Sequence, residues 1–259
     1  MFRDEAYVLR RIDWSETSQI ASVLTREHGH RRLMAKGSRA ERKKGQGARG
    51  LDLFCRVAVS IYPKEGDALD LLGEWEALDY HGRLRENLDA IHLALYLGEF
   101  LDAVCPADEP VPEVYDAYRE TLGRLSRRPA PFFAGLVRIV AALGYAPPPG
   151  ACVGCGRDVS RLAPLRFAPG EGGVLCRDCR PESERSFPIA PGSARLLAVL
   201  AEADPTRLGI SAAQASEVWR CLSSMVREIA ERRLRLEPEV DRLFGLARAE
   251  PAPALSRRA

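Results

Sequence analysis

Two cysteine pairs, Cys152-x2-Cys155 and Cys176-x2-Cys179, with twenty residues between them, constrain this chain more than any other feature. The spacing is that of a zinc ribbon: two knuckles joined by a hairpin, each turning two thiolates toward one ion. Gly154 and Gly156 give the first knuckle the backbone freedom of a tight turn. Between the pairs, Leu165–Ala168 and Val174–Leu175 flank Pro169–Gly173 and read as strand, turn, strand. Four thiolates fill a tetrahedral shell and leave no position for water or substrate, so the one Zn2+ expected here is structural. The competing reading, a thioredoxin-like dithiol, needs only one pair and gives no reason for a second.

Cys55, Cys105 and Cys221 complete an odd total of seven cysteines. An odd count in a chain whose N-terminus lacks the apolar core of a signal peptide argues against a disulfide framework and for a cytoplasmic protein. Each of the three sits among apolar neighbours and is expected to be a buried small hydrophobe. Walker loops, GxGxxG after a strand, HExxH and GxSxG are absent from the sequence, so no motif nominates an active site and no enzyme is expected.

The first 80 residues carry β-branched and aromatic residues at two-residue spacing in Tyr7–Ile12, Ile20–Thr25, Arg31–Lys36, Cys55–Tyr62 and Asp70–Ala77. Five short strands in that length suit a small barrel, for which the OB-fold is the natural candidate. From about Arg83 the period becomes helical, with a long helix stopped by Pro106 and further helices at Pro112–Ser126, Pro131–Leu143, Ser193–Glu202 and Ser211–Leu234. Ser211 and Gln214 are spaced as a capping box for the last of these. The class expected is α+β: an OB barrel over 1–80, then a helical domain over 81–248 with the ribbon inserted at 150–181. The alanine-, proline- and arginine-rich 249–259 is expected to be a disordered tail.

The net charge is only +2, but Arg31–Arg49 holds eight basic residues and a single acid, Glu41. Such a segment leaving a barrel strand can lie along a nucleic-acid backbone and release its counterions. Arg31, Arg32, Lys36, Arg39, Arg42, Lys43, Lys44 and Arg49 are the candidate contacts. Trp14, Phe54 and Tyr62 are candidate stacking partners for bases, although aromatics in strands more often serve a core. Arg10 and Arg11 on the first strand would extend the basic face if they alternate suitably. The run Arg232, Arg233 and Arg235 is expected to complement the negative end of the last long helix.

Taken in order, these pieces resemble the RecO family of DNA repair and recombination mediators. The resemblance lies in Tyr7-Val8-Leu9, in Asp13 followed by Glu16-Thr17-Ser18, in Val23-Leu24-Thr25 before Gly29, in Ala35-Lys36-Gly37-Ser38-Arg39, in Leu51–Phe54, and in the cysteine arrangement after a helical region. It implies binding of single- and double-stranded DNA, annealing of complementary strands, and help in loading RecA onto DNA coated by single-strand-binding protein. It also implies two protein partners, RecR and the acidic tail of single-strand-binding protein, the latter docking in an apolar groove with basic edges. Arg119, Arg124, Arg127 and Arg128 beside Phe132, Phe133 and Val137 are the candidates for that groove. Other readings of the same residues are a barrel and ribbon protein of transcription or translation, a protein-only scaffold, and an enzyme of unfamiliar type.

Overall fold

The computed structural model describes residues 1–38, 51–66, 68–145, 148–179 and 185–246. Strands β1 (Phe2–Asp13), β2 (Gln19–Thr25), β3 (His30–Ala35), β4 (Arg56–Tyr62) and β5 (Asp70–Asp79) close into a barrel in the order β1-β2-β3-β5-β4. Neighbours run antiparallel except β3 and β5, which run parallel. This is the OB-like barrel expected from the strand pattern. β1 begins five residues earlier than its apolar alternation suggests, because Phe2 to Tyr7 pair with β4 from Ile61 to Arg56.

Alternation sends Ala6, Val8, Val23, Leu33 and Ile61 into the barrel. Tyr7, Leu9 and Leu24 point the other way, into a second core built with the helices. β1 is therefore buried on both faces over Ala6–Leu9, and each of the large outward side chains contributes about 2 kcal/mol by leaving water. The helices are α1 (Gly82–Arg85), α2 (Leu88–Val104), α3 (Pro112–Arg124), α4 (Pro129–Ala142), α5 (Pro191–Val199), α6 (Ala212–Ala230) and α7 (Glu237–Leu243).

The single helix expected from Arg83 is two. Asn87 adopts an extended backbone and its side chain accepts hydrogen bonds from the N–H groups of Asp89 and Ala90, so α2 starts afresh there. The capping box of Ser211 and Gln214 opens α6 as read from sequence, but the helix stops at Ala230 rather than Leu234 because Glu231 turns left-handed at φ 53°. The arginines beyond it do not serve the helix end as expected. Arg233 binds Glu237 and Asp241 on α7, and Arg232 lies 3.5 Å from Glu99 of α2.

Barrel and helices meet along a tight seam. The His30 N–H donates to the Pro106 carbonyl and the Asp108 N–H to the His30 carbonyl, each at 3.3 Å. Gly29, at φ +72°, sits so close to residue 109 that a Cβ there would lie 2.1 Å from the Glu109 carbonyl oxygen. The seam continues where Gly98 of α2 passes under β1, with room for a Cβ only 3.3 Å from the Leu9 carbonyl oxygen. Among the described residues, no helix is long and apolar enough to cross a membrane.

Candidate metal centre and nucleic-acid face

The cysteine segment folds as a three-stranded sheet. β6 (Leu165–Ala168) and β7 (Gly173–Cys176) form the expected hairpin, and β8 (Phe187–Ile189) adds to the other side of β6. β8 was not legible beforehand because Pro188 interrupts it, and an edge strand is where a proline is tolerated. The hairpin brings Cys176 and Cys179 against the knuckle of Cys152 and Cys155. All four sulfurs lie within 4.8 Å of one another, and Cys155 Sγ is 3.8 Å from Cys176 Sγ. A tetrahedral ion with metal–sulfur bonds of about 2.3 Å separates its ligands by about 3.8 Å, so the four residues fit one metal ion. Gly154 has a steric role here: a Cβ would approach Cys179 Sγ to 3.1 Å.

Burial disfavours the Cys152 thiolate, but hydrogen bonds from the backbone N–H groups of Cys176, Cys155 and Gly154 outweigh it and bring the thiol down to about 6. A sulfur cradled by amides in this way is prepared for a cation. The three other cysteines are buried as expected, and burial raises their thiols, that of Cys105 to about 12. None is activated as a nucleophile.

The basic candidates divide by strand parity. On β3, Arg31, Leu33 and Ala35 turn toward the barrel, whereas Arg32, Met34 and Lys36 turn outward. Arg31 does not reach the outer face: its side chain is 16% exposed and paired with Asp70 and Asp108 at the barrel rim. Arg32 and Lys36 are exposed, with no ion pair among the described residues. Arg10 stands in the row of Arg32 through the pairs Arg10↔Ser22 and Ser22↔Arg32, while Arg11 points to the barrel end and donates to the Leu51 carbonyl. Arg39, Arg42, Lys43, Lys44 and Arg49 lie outside the described residues, as do 249–259.

Two of the aromatic candidates are open to solvent, Trp14 at 66% exposure and Tyr62 at 47%, but Phe54 is buried against Arg85. The groove proposed from Arg119, Arg124, Arg127, Arg128, Phe132, Phe133 and Val137 is not there. Both phenylalanines are fully buried beside Trp219 and Phe244, and Arg119, Arg124 and Arg127 pair with Asp116, Glu120 and Asp89.

One polar cluster went unread in the sequence because its members are distant in the chain. Ser22 and His30 of the barrel meet Asp102 of α2, with His30 Nε2 2.7 Å from Ser22 Oγ and 3.1 Å from Asp102 Oδ1. Ser22 also donates to Asp102. A proton relay needs serine and carboxylate on opposite ring nitrogens. Here both face Nε2, so the cluster ties barrel to helix and supplies no nucleophile. The hydrogen bonds of His30 and Ser22 outweigh burial and hold the Asp102 carboxyl below its usual range.

Comparison with known proteins covers nearly the whole chain. The family model described as Recombination protein O N terminal matches residues 1–81, and that described as Recombination protein O C terminal matches residues 85–238. A protein of Symbiobacterium thermophilum named DNA repair protein RecO is 30% identical over 251 residues, spanning 94% of this chain and 98% of its own. One of the same name from Desulforudis audaxviator is 32% identical over 241 residues, spanning 90% and 94%. Another, from Anaeromyxobacter dehalogenans, is 33% identical over 198 residues, spanning 75% and 77%.

Proposed function

The chain belongs to the RecO family, with a role in DNA repair and recombination, and from that premise we propose that it is a non-enzymatic mediator that binds single- and double-stranded DNA, anneals complementary strands and helps load RecA onto DNA coated by single-strand-binding protein. The observation that carries this reading is the outward placement of Arg32 and Lys36 on a barrel strand that leads straight into the basic segment. Arg39, Arg42, Lys43, Lys44 and Arg49 extend the same charge, while Arg31 holds the strand in place.

Annealing has a simple physical account on this surface. Two phosphate backbones repel, and cations placed between them lower that repulsion and let bases meet without hydrolysis. Residues 1–80 supply the DNA-binding barrel, and 81–248 supply the helical body with its ribbon at 150–181. RecR and the acidic tail of single-strand-binding protein are the protein partners. Zinc is the metal that suits the four thiolates of Cys152, Cys155, Cys176 and Cys179, and it would supply local cross-linking of the ribbon.

The test is fluorescence anisotropy with a labelled single-stranded oligonucleotide at low and moderate salt. The wild type is expected to bind, and a variant with alanine at Lys36, Arg39, Arg42, Lys43 and Lys44 to bind more weakly with a shallower salt slope. Equal affinity and equal slope for both would remove the segment from the interface.

A further inference from the structure

Between the cysteine-bearing sheet and the helices lies a cavity of about 130 Å³ that neither the metal site nor the nucleic-acid face uses. Val137 and Val140 of α4 and Leu222 and Met225 of α6 line it from the helical side, and all four are buried. Phe167 of β6 and Val174 of β7, paired on one face of the hairpin, line it from the ribbon. At its edge Gly150, at φ +67°, faces α5, where a Cβ would stand 3.9 Å from the Ala198 Cβ. Pro148, Pro149 and Glu202 of the lining are exposed, so the cavity reaches solvent on that side. A void this large is uncommon in a close-packed interior.

Water does not suit it. A buried water needs about two to four polar partners, and the backbone groups that border the cavity are engaged elsewhere. The Gly150 carbonyl accepts from the Val159 N–H at 2.9 Å, the Val174 carbonyl from the Val153 N–H at 3.0 Å, and the Ala201 carbonyl from Arg138 Nε at 2.8 Å. An apolar cavity of about 150 Å³ stays dry and accepts a single aromatic ring, and this one is of the same class. Among the described residues, the one charged side chain in the lining is Glu202, which has no ion pair. A carboxylate at the edge attracts a cationic or donating head and repels an acidic one. That edge is the opposite of the basic one an acidic peptide tail requires.

We propose that the cavity is a binding site for a small aromatic molecule, its ring among Val137, Val140, Phe167, Leu222 and Met225 and its neutral or cationic head at Glu202. Such a guest touches α4, α6 and the β6–β7 hairpin at once, so it ties the ribbon to the helical core. The site stands apart from the barrel and does not depend on the DNA-binding reading.

The chain has three methionines, Met1, Met34 and Met225, and only Met225 lines the cavity. The test is a titration of the full-length protein, labelled at its methionine methyl groups for NMR, with benzylamine, benzyl alcohol and phenylacetate at low salt. Met225→Leu assigns the signal. Benzylamine and benzyl alcohol are expected to move the Met225 signal saturably through the ring current and to leave Met1 and Met34 in place. Phenylacetate is expected to bind about tenfold more weakly than benzylamine, because its charge meets Glu202 with the wrong sign. Glu202→Gln should bring those two affinities together and leave that of benzyl alcohol unchanged. Ala198→Leu, which fills the cavity from α5, should abolish the Met225 shift for all three. No saturable shift at Met225 with any probe would overturn the site. Equal affinity of the wild type for benzylamine and phenylacetate would overturn the placing of the head at Glu202.

Discussion

His81 shows how a single position is governed by its surroundings. Burial holds its pKa below the usual 6.5, against the pull of Asp79, whose Oδ2 is 3.6 Å from Nδ1, and with the help of Arg56 and Arg85. The unfolded chain takes up the proton first, so the stability contributed by neutral His81 is present above 6.5 and lost as pH falls through that value toward the lower folded one. The difference in urea unfolding free energy between wild type and His81→Gln should therefore shrink from about pH 7.5 to about pH 5.5. A constant difference would mean that His81 charges freely in the fold. Asp79 and Arg85 lie close to His81 in the sequence, but the burial is not announced there, because Tyr7 of β1 and Arg56 of β4, which pack around the ring, are distant in the chain. The zinc-type cysteines were legible because their spacing is local. Phe132 and Phe133 misled because two adjacent aromatics on a helix suggest an open face, whereas α4 is buried nearly all round from Ala130 to Val137.

Elements with strong periodicity were readable, and those defined by partners were not. All five barrel strands appear in the alternation of Tyr7–Ile12 and its successors, yet the register that aligns Ile12, Ile20, Met34, Leu71 and Tyr62 depends on pairings no single strand encodes. α7 was missed because its helical face is made of Glu237 and Asp241, buried acids that look like a solvent-facing surface until Arg227 and Arg233 are placed against them. The ribbon gives a prediction at this scale. Its strands contribute Leu165, Phe167 and Leu175 to the helical core, so the site and the core are one packing unit. Cys152→Ser is expected to drop bound metal from about one equivalent to near zero and to make 150–189 the first site of proteolysis. Metal retained in full by that variant would show that Cys152 is not a ligand.

At the scale of the whole molecule, the two cores share β1, and the barrel has no independent outer surface along Ala6–Leu9. A fragment ending at residue 81 would expose Tyr7, Leu9 and Leu24 together, an apolar strip flanking the exposed seam. Expressed alone, it should self-associate and bind a hydrophobic dye, by light scattering and dye fluorescence, whereas the full chain should do neither. A monomeric, dye-free fragment would show that the strip is covered from within the barrel.

The Gly29 contact with residue 109 and the passage of Gly98 beneath β1 leave, at these two points, no gap about which the halves could rotate. A clamp closes by moving its jaws, and the body formed by the described barrel and helices, locked at these two contacts, offers none. If two DNA strands are brought together on it, the strands do the travelling, and the protein acts as an anvil on which they meet. Pairing then runs at the rate of encounter and alignment, without a conformational step of the protein to limit it.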